Sequence, residues 1–196
     1  MASLALALYF VYLILAFLVR GLIQWRRTGD SGMRFGTEAV GSAQWWSRLA
    51  FIGAIVAGVA APVMELAGWL GPVAGFDRAL IQTAGLVLSI AGIAGVLVAQ
   101  LAMGASWRVG VDTDERTQLV VRWPFTVVRN PIFTAMIVTT LGLALLVPSV
   151  VSLGAFMLLC IAIRHQVVAV EEPYLREMHG AIYTEYCNVT RRFLPW

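Results

Sequence analysis

Two adjacent carboxylates, Glu171 and Glu172, stand one apolar turn beyond Arg164 and His165, at the exit of a long apolar run. Ionisable groups beside an apolar segment are costly and are usually kept for a function. Such a pair can hold a cation, brace an arginine or take up a proton. Downstream, Tyr183 and Tyr186 lie three residues apart and share a helical face, and Arg191, Arg192 and Pro195 close the chain. Pro173 suits the first turn of a new helix, which would set both carboxylates against its dipole, and Gly180 interrupts that helix. A second polar element is Arg129-Asn130-Pro131. Asn130 is a favoured N-cap residue and Pro131 fits the first helical position, so a helix is expected to start here. Its free N–H groups and the Arg129 charge together make an anion site. A blander reading is a capped helix with an arginine at lipid phosphate, followed by an interfacial tail. That accounts for the tyrosines and arginines but not for the paired glutamates.

Apolar segments must position these residues. The chain has 196 residues, 60% hydrophobic and 13% charged, with a mean hydropathy of +0.81. A soluble domain carries about 25% charged residues, so this is an integral membrane composition. A spanning helix needs about 20 mainly apolar residues. Five segments are expected to cross: 3–24, 48–70, 79–103, 132–147 and 150–163 with its apolar continuation towards Val170. The second holds Pro62 and Glu65 and is expected to kink or turn interfacial at its far end. Only Pro148 and Ser149 join the last two, which reads as a tight helical hairpin. The stretch 26–43 reads as a loop. Residues 1–196 form one transmembrane domain, with three helices up to 103 and a linker, hairpin and tail after it.

Every basic residue is arginine, and the arginines set the orientation. Arg26, Arg27 and Arg34 follow the first segment; Arg108, Arg116, Arg122 and Arg129 precede the fourth; Arg164, Arg176, Arg191 and Arg192 follow the fifth. Arg78 alone falls on the other side. The positive-inside rule then places the N-terminus outside and the C-terminus in the cytosol. This brings the 104–131 linker and the 164–196 tail to one membrane face.

Other features read as structural. Gly53, Gly58, Gly85, Gly92 and Gly95 let helices approach closely. Cys160 and Cys187 do not make a disulfide framework. Asp112, Asp114 and Glu115 have no accompanying His or Cys and read as an exposed acidic turn, so no metal site is expected. The acceptor pattern at Asn188-Val189-Thr190 falls on the cytosolic side and is set aside.

Taken together, MGASWRVGVD, RNPIFTA and EEPYLREMHGAIYTEYCNVTRRFLP resemble the isoprenylcysteine carboxyl methyltransferase family and its phospholipid methyltransferase relatives. The family pattern is an Arg-His-Pro-x-Tyr-x-Gly element opening a helical hairpin, then a Glu-Glu pair, spaced tyrosines and a final Arg…Pro. The likeness covers about residues 100–195. Asn130 stands where the family has His, Phe133 for Tyr, Ala135 for Gly and His179 for Phe; Phe133 lacks the hydroxyl that a catalytic role would use.

The resemblance implies an all-α membrane fold binding S-adenosyl-L-methionine without a Rossmann fold, with a lipophilic substrate entering from the bilayer. Its implied cofactor contacts are Gln100, Leu119, Val120 and Pro124 from the linker side. Asn130, Pro131, Glu171, Tyr183 and Tyr186 complete that set. Arg129, Glu172 and Arg192 are the expected catalytic residues, the arginines as anion contacts. The resemblance favours a carboxylate acceptor on an isoprenylcysteine-like molecule, which would need no general base because a carboxyl group is already ionised at neutral pH. A lipid amine is the alternative, for which the glutamates would serve as base. A nicotinamide-dependent reductase and a non-catalytic scaffold stay open as further readings. The inner membrane, with the active site facing the cytosol, is the expected location.

Overall fold

The computed structural model describes residues 1–34, 38–76, 78–112, 116 and 118–194. It is all-helical among these residues, apart from two isolated bridges between loops. Four helices are long and apolar enough to cross a membrane. These are α1 (Ala2–Thr28), α2 (Ala43–Leu66), α3 (Ala79–Met103, followed by a 3-10 turn at Gly104–Ser106) and α5 (Val150–Val189). The fifth, α4 (Pro131–Leu146), is apolar but has only 16 residues. At 1.5 Å per residue it reaches about 24 Å, short of a typical hydrocarbon core. The all-α membrane fold expected from the sequence is therefore present.

Helix starts and stops follow local chemistry. Ser42 caps α2 by accepting a hydrogen bond from the Trp45 backbone, so that helix begins ahead of Arg48. It runs through Pro62 and ends at Leu66. At the α4–α5 corner, Ser149 and Ser152 form a reciprocal capping box, and Val147 to Ser149 make the whole connection. The hairpin is as short as expected, yet its arms diverge: α4 packs mainly along α3, and the first part of α5 mainly along α2.

Small residues set the α3–α4 distance. A Cβ placed on Gly92 would sit 2.4 Å from Thr139 Oγ1 and 2.5 Å from the Thr139 backbone nitrogen. One on Gly142 would sit 2.4 Å from the Ser89 backbone nitrogen. Without a hydrophobic drive between helices in lipid, such backbone approach is the main source of association. Tyr9 likewise lies against Gly58, bringing α1 onto α2.

The two ends of the bundle differ in character. At one end Ala2, Ala5 and Tyr9 pack on Leu143, Leu146 and Val147, and Val73 N–H bonds the Pro148 carbonyl at 2.6 Å. At the other end the linker and the tail meet, as the sequence required. Val128 bridges Arg191, and the Arg129 N–H donates to the Arg191 carbonyl at 2.7 Å. Phe193 inserts into the cluster formed by Ile163, Val167 and Met136, which anchors the tail.

One expected boundary is not there. No helix restarts at Pro173; α5 continues from Val150 to Val189. Pro173 has no N–H to give back to the preceding turn. The helix widens into a π segment over Val167–Glu171 instead, a form that often marks functional sites. Glu171 and Glu172 therefore face no helix N-terminus. Gly180 does break the helix geometry, with φ 52° and ψ −122°, a conformation that glycine adopts at little cost.

Candidate functional site

A cavity of about 490 Å³ opens at the polar end of the bundle, within the usual range for small-molecule sites. Its membrane side is apolar, with Leu13, Phe17, Phe51, Ile52 and Met136 from three helices. Its polar side is built from the linker, the start of α4 and the later part of α5. Of the residues singled out in the sequence, Gln100, Leu119, Val120, Arg129, Asn130, Pro131, Glu171, Tyr183 and Tyr186 lie on the wall. Pro124, Glu172 and Arg192 are not among the lining residues. Pro124 instead heads a turn, accepting the Val127 N–H at 3.0 Å.

The adjacent glutamates part company because neighbours on a helix point about 100° apart. Glu171 lines the cavity, and among the described residues its hydrogen bond comes from Gln166 Nε2 at 3.4 Å. Glu172 is 2% exposed and faces the tail. It accepts Arg192 Nε at 2.6 Å and Nη2 at 3.0 Å, Arg129 Nη2 at 3.1 Å and Arg176 Nη2 at 3.2 Å. The bonds to Glu172 hold the Arg192 pKa above its ordinary value. Glu172 thus braces arginines, one of the roles open to it from sequence.

Arg129 also donates Nη1 to the carbonyls of Cys187 at 3.0 Å and Thr190 at 2.6 Å. Its guanidinium ties the linker to the tail, and its charge is already matched by Glu172. Asn130 occupies the N-cap position without capping: its side-chain nitrogen donates to the Arg192 carbonyl at 3.1 Å. Tyr183 and Tyr186 stand with ring centroids 6.2 Å apart, and the Tyr186 hydroxyl donates to the Phe125 carbonyl at 2.6 Å.

Sequence reasoning passed over the contribution of the first two helices. Arg20 is buried, donates to Gln24 and to the Gly104 carbonyl at 2.6 Å, and stacks over Trp107 at 4.5 Å. Gln24 reaches the Ala105 carbonyl at 2.7 Å. These bonds fix the turn after α3, from which Ser106, Trp107 and Arg108 enter the cavity wall. An arginine inside an apolar run was the available signal. From the loop after α1, Gly32 and Arg34 pair with Val109 through N–H···O bonds of 2.8 and 3.0 Å, laying a strap over the linker. Ser47 on α2 lines the cavity and is bonded to His165 Nδ1 at 2.7 Å. Asp114 and Glu115, from the acidic turn, lie outside the described residues.

The wall accordingly offers one carboxylate held by an amide alone, two tyrosine rings, and Gln100, whose Oε1 is buried without a partner. No curated protein and no solved structure matches the chain. A family model for phospholipid methyltransferase matches residues 80–182. That stretch runs from α3 through the hairpin to Ile182, and so includes Arg129, both glutamates and most of the cavity's polar wall. It spans just over half of the sequence, and the chain belongs to the phospholipid methyltransferase family, whose members are membrane methyltransferases acting on lipophilic substrates.

Proposed function

We propose that the chain transfers a methyl group from S-adenosyl-L-methionine to the amine of a membrane lipid, in the cavity between the linker, α4 and α5. The observation that carries the amine is the charge balance of the wall. Arginines on the wall already face carboxylates: Arg34 with Asp30, Arg48 with Glu38 and Arg129 with Glu172. Glu171 faces no cation among the described residues. A carboxylate in that position favours a cationic guest. The isoprenylcysteine carboxylate favoured by the sequence would need the reverse, an unmatched cation.

The wall also fits the cofactor. Gln100 Oε1 is an unpartnered acceptor suited to an amino group, and Tyr183 and Tyr186 provide ring surface for a purine. When bound, S-adenosyl-L-methionine supplies an electrophilic methyl group. A protonated amine must lose a proton before it can attack, and the Glu171 carboxylate is placed to take it. Apolar side chains from α1, α2 and α4 hold the acyl chains and exclude water. The arginine distribution supports a cytosolic mouth in the inner membrane, with the N-terminus outside.

Purified protein in lipid nanodiscs, given methyl-labelled S-adenosyl-L-methionine and an amine-bearing phospholipid, should place base-stable label in the lipid fraction. Base-labile label released as methanol would return the acceptor to a carboxylate. Stabilisation by NADPH and not by S-adenosyl-L-methionine would overturn the methyl-transfer reading in favour of a reductase, and stabilisation by neither would favour a scaffold.

A further inference from the structure

A second recess of about 390 Å³ lies on the far side of Arg129 from the cofactor cavity, lined by Arg129, Arg164, Arg191, Arg192 and Phe193. Arg129 lines both spaces. Four guanidinium groups converge here, and Glu172 is the carboxylate that reaches them, bonded to Arg129 and Arg192. Arg164 and Arg191 are exposed, and their guanidinium groups have neither hydrogen bond nor ion pair among the described residues. Arg129 Nε is buried and unpartnered as well. Glu172 meets two of the four, so the recess keeps an excess of positive charge suited to an anion that the described residues do not provide.

We propose that this recess binds the phosphate of an anionic membrane phospholipid. Guanidinium groups match phosphate by paired N–H···O bonds, which favours phosphate over a simple halide. The location points to a lipid source. Arg164 ends the apolar run of α5, where headgroups are expected, and Ile161, Val168, Val189 and Leu194 are exposed apolar side chains on the same elements. Such surroundings receive acyl chains while the arginines hold the headgroup. Because Arg191 and Arg192 belong to the tail and Arg164 to α5, a bound phosphate clamps the tail against the helix and secures the wall that carries Tyr183 and Tyr186. This inference does not rest on methyl transfer, and its test reads binding alone.

The experiment is native mass spectrometry of the full chain released from detergent, with phosphatidylglycerol, diacylglycerol or inorganic phosphate added. Wild-type protein should retain phosphatidylglycerol and not diacylglycerol. The double variant R164Q/R191Q should lose about thirtyfold in affinity, the effect expected of two headgroup-level charges. R164K/R191K should recover part of it, because charge is kept while the paired geometry is lost, and the recovery shows that the glutamine variant's loss is not misfolding. Millimolar inorganic phosphate that fails to displace the lipid supports the lipid source; complete displacement would assign the recess to free phosphate and overturn the lipid. Equal retention of diacylglycerol, or unchanged affinity in R164Q/R191Q, would overturn the site altogether.

Discussion

Arg129 and Glu172 are 43 residues apart in sequence and meet at 3.1 Å, with side chains 10% and 3% exposed. This pair joins the segment before α4 to the middle of α5, and Arg192 joins the tail to both through the same carboxylate. Buried ion pairs are weak evidence for net stability, because desolvation offsets attraction, but breaking one leaves uncompensated charge. Three arginines on one carboxylate make Glu172 the member whose loss does most harm.

Glu172→Gln should therefore destabilise the protein by about 3 kcal/mol, the low end for a broken buried pair, since Arg192 and Arg176 are partly exposed and regain water. Thermal unfolding in detergent measures it. Limited proteolysis should show cleavage after Arg191 or Arg192 appearing earlier than in the parent. A variant as stable and as protease-resistant as the parent would mean that the arginine cluster does not hold the tail.

Tyr186→Phe removes the hydroxyl that donates to the Phe125 carbonyl at 2.6 Å. An unmet buried carbonyl costs about 1–3 kcal/mol. The turn at residues 123–127 should loosen, with faster hydrogen exchange at the amides of Phe125 and Val127, whose own bonds close that turn. Exchange rates equal to the parent's would separate Tyr186 from the integrity of the linker.

Much of this arrangement is legible in the amino-acid order. The apolar runs and the arginine spacing are enough to bring 104–131 and 164–194 to one end, because a two-helix hairpin between them returns the chain to the side it left. Which residues would stand on the wall was also largely readable: Asn130, Glu171, Tyr183 and Tyr186 are all there. Partners were not readable. The Glu172 carboxylate and the Arg129 guanidinium meet directly, and sequence spacing carries no information on two side chains brought together by tertiary folding. Pro173 misled in a different way. A proline after two acidic residues usually opens a helix, but here an apolar helix already in progress absorbs it by widening one turn. Arg20 shows the complementary case, a plain intramembrane charge bonded to Gln24 on its own helix and to the Gly104 carbonyl 84 residues away, a partner that sequence spacing does not set.

The α3–α4 contact is a steric prediction. Gly92→Val would place branched carbon where Thr139 Oγ1 and backbone nitrogen already lie within 2.5 Å of a Cβ. Overpacking of this kind costs about 1–3 kcal/mol, and more when backbone must move. Gly154→Ala on α5 is the control, since a Cβ there meets nothing within 4 Å. Unfolding temperature should fall clearly for the first and hold for the second. Equal behaviour of the two would show that small-residue contact does not set this helix spacing.

Glu171→Gln tests the proposed chemistry apart from the fold. Its hydrogen bond to Gln166 is long, at 3.4 Å, so the substitution should change stability by less than about 1 kcal/mol. Losing a carboxylate that accepts the substrate proton should lower kcat by about 10²-fold or more, with a smaller change in KM. Because an uncharged amine needs no base, raising the pH should recover part of the rate in Glu171→Gln while leaving the parent little changed. A carboxylate acceptor would show no such recovery, since it carries no proton to remove. A variant with parental turnover at neutral pH would take Glu171 out of the reaction and, with it, the main support for an amine substrate.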